Sequence, residues 1–90
     1  MLKAEYTSKF KKDLKLMDKR GLHMKKLYDV MVCLTNEIPL SPNHHEHLLQ
    51  VEYKGFLECH IEPDWLLVYK INMESKEIYF SRTGTHSDLF

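Results

Sequence analysis

Hydrophobic and polar positions change period several times along this chain, and each change marks an element. Residues 2–6 alternate, with Leu2, Ala4 and Tyr6 set against Lys3 and Glu5, which predicts a short half-buried strand. Ser8 then reads as an N-cap for a helix over about 8–20. Its apolar positions Phe10, Leu14 and Met17 fall at i, i+4 and i+7, leaving Lys11, Lys12, Lys15 and Lys19 outward, and Gly21 supplies a stop. A second helix over about 23–36 is predicted from Met24, Leu27, Met31 and Leu34, with Tyr28 and Val30 widening the stripe. Residues 38–48 break both periods; Pro39, Pro42 and Asn43 mark a loop. After Gly55 the period becomes two: Phe56, Glu58 and His60 share one face, Leu57, Cys59 and Ile61 the other. Glu62-Pro63-Asp64 makes a turn, 65–71 is a nearly continuous apolar strand of the kind buried in a sheet centre, and a last strand over 77–82 follows the turn at 72–76. The order is β-α-α-β-β-β: one α+β domain over residues 1–90, two N-terminal helices packed on a small antiparallel sheet.

Composition changes this picture little, and charge changes it more. Ninety residues hold a single modest core. No apolar run approaches the roughly 20 residues needed to cross a bilayer, and Met1-Leu2-Lys3-Ala4-Glu5 lacks a signal-peptide core, so a cytoplasmic protein with no membrane partner is expected. Cys33 and Cys59 form neither a CxxC nor a disulfide framework, which fits two free thiols in a reducing compartment. The formal charge is zero, yet residues 1–26 carry nine Lys or Arg against Glu5, Asp13 and Asp18. A basic face able to meet a polyanion and a merely solvated lysine helix both explain that split.

Four of the six histidines lie between 44 and 60. His47 ends the loop before the sheet, His60 ends a strand at a tight turn, and Asp64 stands across that turn, where hairpin geometry places it near His60. Arg82 closes the last strand, with His86 just beyond. Cleaving RNA requires a base for the 2′-hydroxyl, an acid for the leaving 5′-oxygen and a cation for the phosphorane. Imidazole suits both proton transfers near neutral pH, arginine suits phosphate, and a carboxylate such as Asp64 orients an imidazole. His44 and His45 are expected to decorate a polar loop; with His47 they lack both HExxH spacing and a cysteine partner, so neither metal nor cofactor is expected. Strand periodicity assigns Trp65 to the core, while the stacking of bases on aromatic rings keeps it among the RNA-facing candidates.

The segment Cys59-His60-Ile61-Glu62-Pro63-Asp64-Trp65-Leu66-Leu67-Val68-Tyr69-Lys70 resembles the central motif of YafQ-type toxins in the RelE/ParE superfamily. The ending Arg82-Thr83-Gly84-Thr85-His86-Ser87-Asp88-Leu89-Phe90 is similar to the family's closing pattern, and His47-Leu48-Leu49-Gln50 with Tyr53-Lys54-Gly55 to its upstream segment. The resemblance spans the chain and implies a RelE-like toxin of a type II toxin–antitoxin system: a metal-independent endoribonuclease that cuts translated messenger in the ribosomal A site. It implies catalytic roles for His47, His60, Asp64 and His86, with His47 or His60 as base and His86 as acid. Arg82 matches a phosphate contact and Phe90 an aromatic near the nucleotide; Lys54 and Trp65 join the RNA-binding candidates. Lys11, Lys12, Lys15 and Lys19 would meet ribosomal RNA. The implied partners are the ribosome, its messenger and a cognate antitoxin, in a complex that a heterotetramer would satisfy, with operator DNA reached only through the antitoxin.

Two positions depart from the pattern. Leu57 stands where many relatives have an arginine, which would remove a cation near the scissile phosphate, and Val51 where they often have glycine. Two other functions fit the same fold: a non-catalytic ParE-like toxin that poisons gyrase by binding it, and a non-catalytic RNA-binding module.

Overall fold

The computed structural model describes residues 1–50 and 54–90; the departure at Val51, and Tyr53 of the upstream segment, lie outside them. Strand β1 (Lys3–Tyr6) leads into helices α1 (Ser8–Lys19) and α2 (Met24–Thr35). Then come β2 (His47–Leu48), β3 (Leu57–Glu62), β4 (Trp65–Asn72), β5 (Glu77–Gly84) and a final turn of helix, α3 (His86–Leu89). The five strands form one sheet ordered β1-β5-β4-β3-β2. The C-terminal meander is antiparallel as expected, but β1 joins β5 in parallel, so the sheet is mixed.

Local chemistry sets the helix ends. Thr7, not Ser8, caps α1: its backbone is extended and its Oγ1 accepts from the Phe10 amide at 3.0 Å. The same hydroxyl donates to the Ser81 carbonyl at 2.8 Å, so the cap also stitches the helix to β5. Gly21, at φ +80°, ends α1 in a paired-carbonyl stop, with its amide on Asp18 O and that of Leu22 on Met17 O. Phe10, Met17, Leu27, Val30, Met31 and Leu34 face the sheet. Tyr28, expected to widen the apolar stripe of α2, is exposed.

The helices cover one face of the sheet, burying Cys59, Ile61, Trp65, Leu67, Tyr69, Ile78 and Phe80. Burial first, then the charges of Glu46 and Glu58, pushes the Cys59 thiol up to about 12, so it is an inert neutral core group. The opposite face is thinly covered: Leu66, Val68 and Leu89 form a small cluster with Leu49 and Phe56. Thus β4 is buried on both faces, which is why its sequence is apolar without alternation. The thinly covered face also carries the histidines.

Two irregularities re-aim strands beside them. The β3–β4 register shifts between His60 and Glu62, and the β4–β5 register shifts between Val68 and Tyr69. The segment 38–48, expected to be loop throughout, contains a 3₁₀ turn at Pro42–His44 and the two residues of β2. Neither is long enough to leave a period in the sequence. His45 takes the left-handed conformation at φ 48° and ψ 46°, which turns the chain sharply into β2.

Candidate active site

Four histidine rings converge at the end of β3. His60, half-buried, stands in the middle, with ring centroids of His45, His86 and His47 at 5.6, 5.9 and 6.3 Å. Each arrives on a different element: His45 from the turn before β2, His47 from β2, His60 from β3 and His86 from the first position of α3. An open cleft of about 550 Å³ runs along the rim, lined by His44, His45 and His60 with Glu62 and Pro63.

Hydrogen bonds fix several ring nitrogens. Nδ1 of His47 donates to the His45 carbonyl at 2.7 Å, and Nδ1 of His44 to the His60 carbonyl at 2.8 Å. Nδ1 of His86 lies 2.6 Å from Oδ1 of Asp64, which also accepts the His86 amide at 3.0 Å. That amide, then the ring, holds the Asp64 carboxyl below its ordinary range. The carboxylate expected to approach His60 across the hairpin is thus bonded to His86. Because His86 neighbours His60, the group it orients still belongs to the cluster.

His86 is placed by the C-terminal turn. Thr85 caps α3 through the Asp88 amide at 3.1 Å, and the Asp88 carboxylate accepts the Thr85 amide at 2.9 Å. Arg20, at the end of α1, clamps Asp88 with bonds of 2.7 and 3.0 Å. That guanidinium, then the Thr85 amide, holds the Asp88 carboxyl well below the usual carboxylate range. Phe90 follows, 61% exposed, its amide on the His86 carbonyl.

Arg82 lies opposite Val68, in the row that continues through Glu58 to His47. Its guanidinium is gripped by Asp13 of α1 at 2.7 and 3.2 Å, and Asp13 also accepts the Thr83 amide. Asp13 therefore faces inward on α1 and orients the arginine from the side. Lys54 is exposed in the turn before β3, and Lys11, Lys12, Lys15 and Lys19 are exposed along α1.

Trp65 has to be withdrawn as a base platform. It is 2% exposed on the helix side of the sheet, and its indole N–H is spent on Thr83 Oγ1 at 2.9 Å. Leu57 packs against the same helix-side core, so a side chain at that position points away from the histidines. The expected loss of a cation there does not follow.

Three site residues escaped the sequence reading. His44 and His45 support or face His60 instead of decorating a free loop. Glu58, 5% exposed, lies beneath the rings. Its signal was the strand alternation itself, which put a carboxylate on the face of His60.

The chain matches, over residues 2–90, the family described as bacterial toxin of type II toxin–antitoxin system, YafQ. It is 44% identical to the mRNA interferase toxin YafQ of Escherichia coli BL21-DE3, over 96% of this chain and 92% of that one. Its fold is similar to the toxin in a crystal structure of the Escherichia coli DinJ–YafQ complex, at TM-score 0.91 and 43% identity, covering 100% of this chain and 99% of that one. A crystal structure of a metal-bound toxin from Helicobacter pylori is similar at TM-score 0.93 and 44% identity, with both chains covered completely.

Proposed function

The chain belongs to the YafQ family of toxins of type II toxin–antitoxin systems, and from that premise we propose that it is an endoribonuclease cutting ribosome-bound messenger by histidine acid–base chemistry. The observation that carries this reading is the pair of rings His60 and His86, 5.9 Å between centroids on the open sheet face, with His86 backed by Asp64. A base and an acid that each reach a different oxygen of one phosphodiester at hydrogen-bond length stand about 6 Å apart.

The steps balance without a co-reactant. The 2′-hydroxyl gives its proton to His60 or His47, its oxygen forms a bond to phosphorus, and the bond from phosphorus to the 5′-oxygen breaks. His86 gives that leaving oxygen a proton. Because Nδ1 of His86 is on Asp64, the nitrogen that faces substrate is Nε2. The products are a 2′,3′-cyclic phosphate and a 5′-hydroxyl. Arg82, oriented by Asp13, neutralises charge on the phosphorane, and Phe90 and Lys54 border the bound strand.

The metal carried by the Helicobacter pylori relative does not fit these side chains as they stand. Among the described residues no three His, Cys, Asp or Glu are grouped so as to hold a metal ion. No step is routed through a metal.

A cognate antitoxin, as DinJ is in the Escherichia coli complex, is the proposed protein partner, and the α1 lysines are the proposed contact with ribosomal RNA. The test is induction in cells of the wild type beside His86→Ala, with messenger 5′ ends mapped by primer extension. New cuts within translated codons for the wild type, reduced about 100-fold or more in the variant, are expected. Growth arrest by both variants without cuts would replace this reading with a toxin that acts by binding a protein.

A further inference from the structure

Beneath the rings lies a carboxylate to which those proton transfers assign no part. Glu58 sits two residues before His60 on the same face of β3 and directly opposite His47 on β2. Its Oε1 is 3.3 Å from Nε2 of His47 and 3.8 Å from Nε2 of His60. A carboxylate buried to this degree is costly unless donors or cations meet it, and both imidazoles turn a nitrogen towards it.

The nitrogens already committed decide what each ring does. On His47 the proton of the neutral ring is at Nδ1, held by the His45 carbonyl. Its Nε2 then presents a lone pair to Glu58, and a second proton there turns that repulsion into a charge-assisted bond. On His60, Nε2 faces Glu58 from just beyond hydrogen-bond length. A proton on that nitrogen points at the carboxylate and leaves Nδ1 bare for substrate. The arrangement mirrors Asp64 and His86 on the other side of the cluster.

We propose that Glu58 is a positioning residue: it holds His60 as the Nε2–H tautomer, so that Nδ1 receives the 2′-hydroxyl proton, and it stabilises the positive charge the His47–His60 pair then carries. This deepens the ribonuclease reading and rests on it for the reaction, though not for the tautomer. The charged and titratable groups around Glu58 are His45, Glu46 and His47 from the β2 side, Lys70 and Arg82 on β4 and β5, and Asp64 with His86 at the rim. Titrations must therefore be followed residue by residue.

The experiment compares wild type, Glu58→Gln and Glu58→Asp by single-turnover cleavage of ribosome-bound messenger between pH 5 and 8.5. It adds nitrogen-15 NMR of the imidazoles in the free protein. Glu58→Gln is expected to cleave about 10- to 100-fold more slowly with ribosome affinity within about twofold. Glu58→Asp should restore most of the rate, and His60 should shift from Nε2–H towards Nδ1–H in Glu58→Gln. Two results overturn the proposal: a wild-type His60 found as Nδ1–H, whatever the variants do, or a folded Glu58→Gln with the wild-type rate and tautomer. If the wild type cuts no ribosome-bound messenger, the ribonuclease reading falls, and the NMR comparison still decides the role of Glu58.

Discussion

Gly84 is needed for closeness rather than for turning. A Cβ at this position would stand 2.9 Å from Cβ of Asp88 and 3.0 Å from its Oδ2. Asp88 has nowhere to retreat, because Arg20 and the Thr85 amide both hold its carboxylate. Gly84→Ala must therefore displace α3, and His86 sits at the start of that helix. We expect a loss of about 1–3 kcal/mol of stability, read as a melting point lower by several degrees, and about tenfold slower cleavage. Unchanged melting and cleavage would mean that the turn tolerates the extra carbon. Trp65 shows a limit of sequence reading at the same scale. The general stacking of bases on aromatic rings made it an RNA-facing candidate and its strand period put it in the core, and the period was right because the pleat fixes which face a side chain takes.

Among the elements, α3 depends on a single cluster of polar bonds. Its Asp88 carboxyl has its pKa depressed by Arg20, so the stabilisation is fully present above the unfolded value of about 3.9. It is lost as pH falls below that value towards the folded one. Protection of the Thr85 and Phe90 amides against exchange should thus fall between about pH 4 and pH 2 before the core opens, and Arg20→Ala should show the lower protection already at neutral pH. Protection that persists to pH 2 would assign the anchoring of α3 to Leu89 instead.

The long elements were legible because α1, α2 and the three strands of the meander each bury a whole stripe, which leaves a period. Strand β2 and helix α3 were not, since two and four residues leave none, and the parallel seating of β1 depends on a partner more than seventy residues away. The cap Thr85-His86-Ser87-Asp88 was a local signal for α3. For the site, His47, His60 and His86 came from their places at strand ends and from motif resemblance, whereas the support of Glu58 under His47 required cross-strand register and that of Asp13 on Arg82 the packing of α1 on β5.

For the molecule as a whole, neutrality of the full chain hides a division of charge. The lysines of α1 are exposed on the helix layer, while the histidines lie on the far face of the sheet. On the proposed reading, docking and chemistry are then separable. Lys11→Glu with Lys15→Glu should weaken ribosome binding and flatten its dependence on salt, the logarithmic slope falling by about one for each phosphate no longer neutralised. Cleavage at saturating ribosomes should be unaffected; an equal loss at saturation would show that α1 takes part in the chemical step.

The pairing of β1 with β5 has a consequence in time. The amide of Thr7 reaches Phe80, and Lys3 through Tyr6 run beside Glu77 through Phe80. Until those late residues emerge during synthesis, the first strand has no neighbour and the two helices have only part of the surface they cover. Closure of the sheet waits for a partner more than seventy residues downstream of β1, and the last histidine of the cluster emerges later still. On the proposed ribonuclease reading, a nascent chain that has not yet reached His86 lacks its acid and cannot cut, an interval in which a cognate antitoxin can meet it.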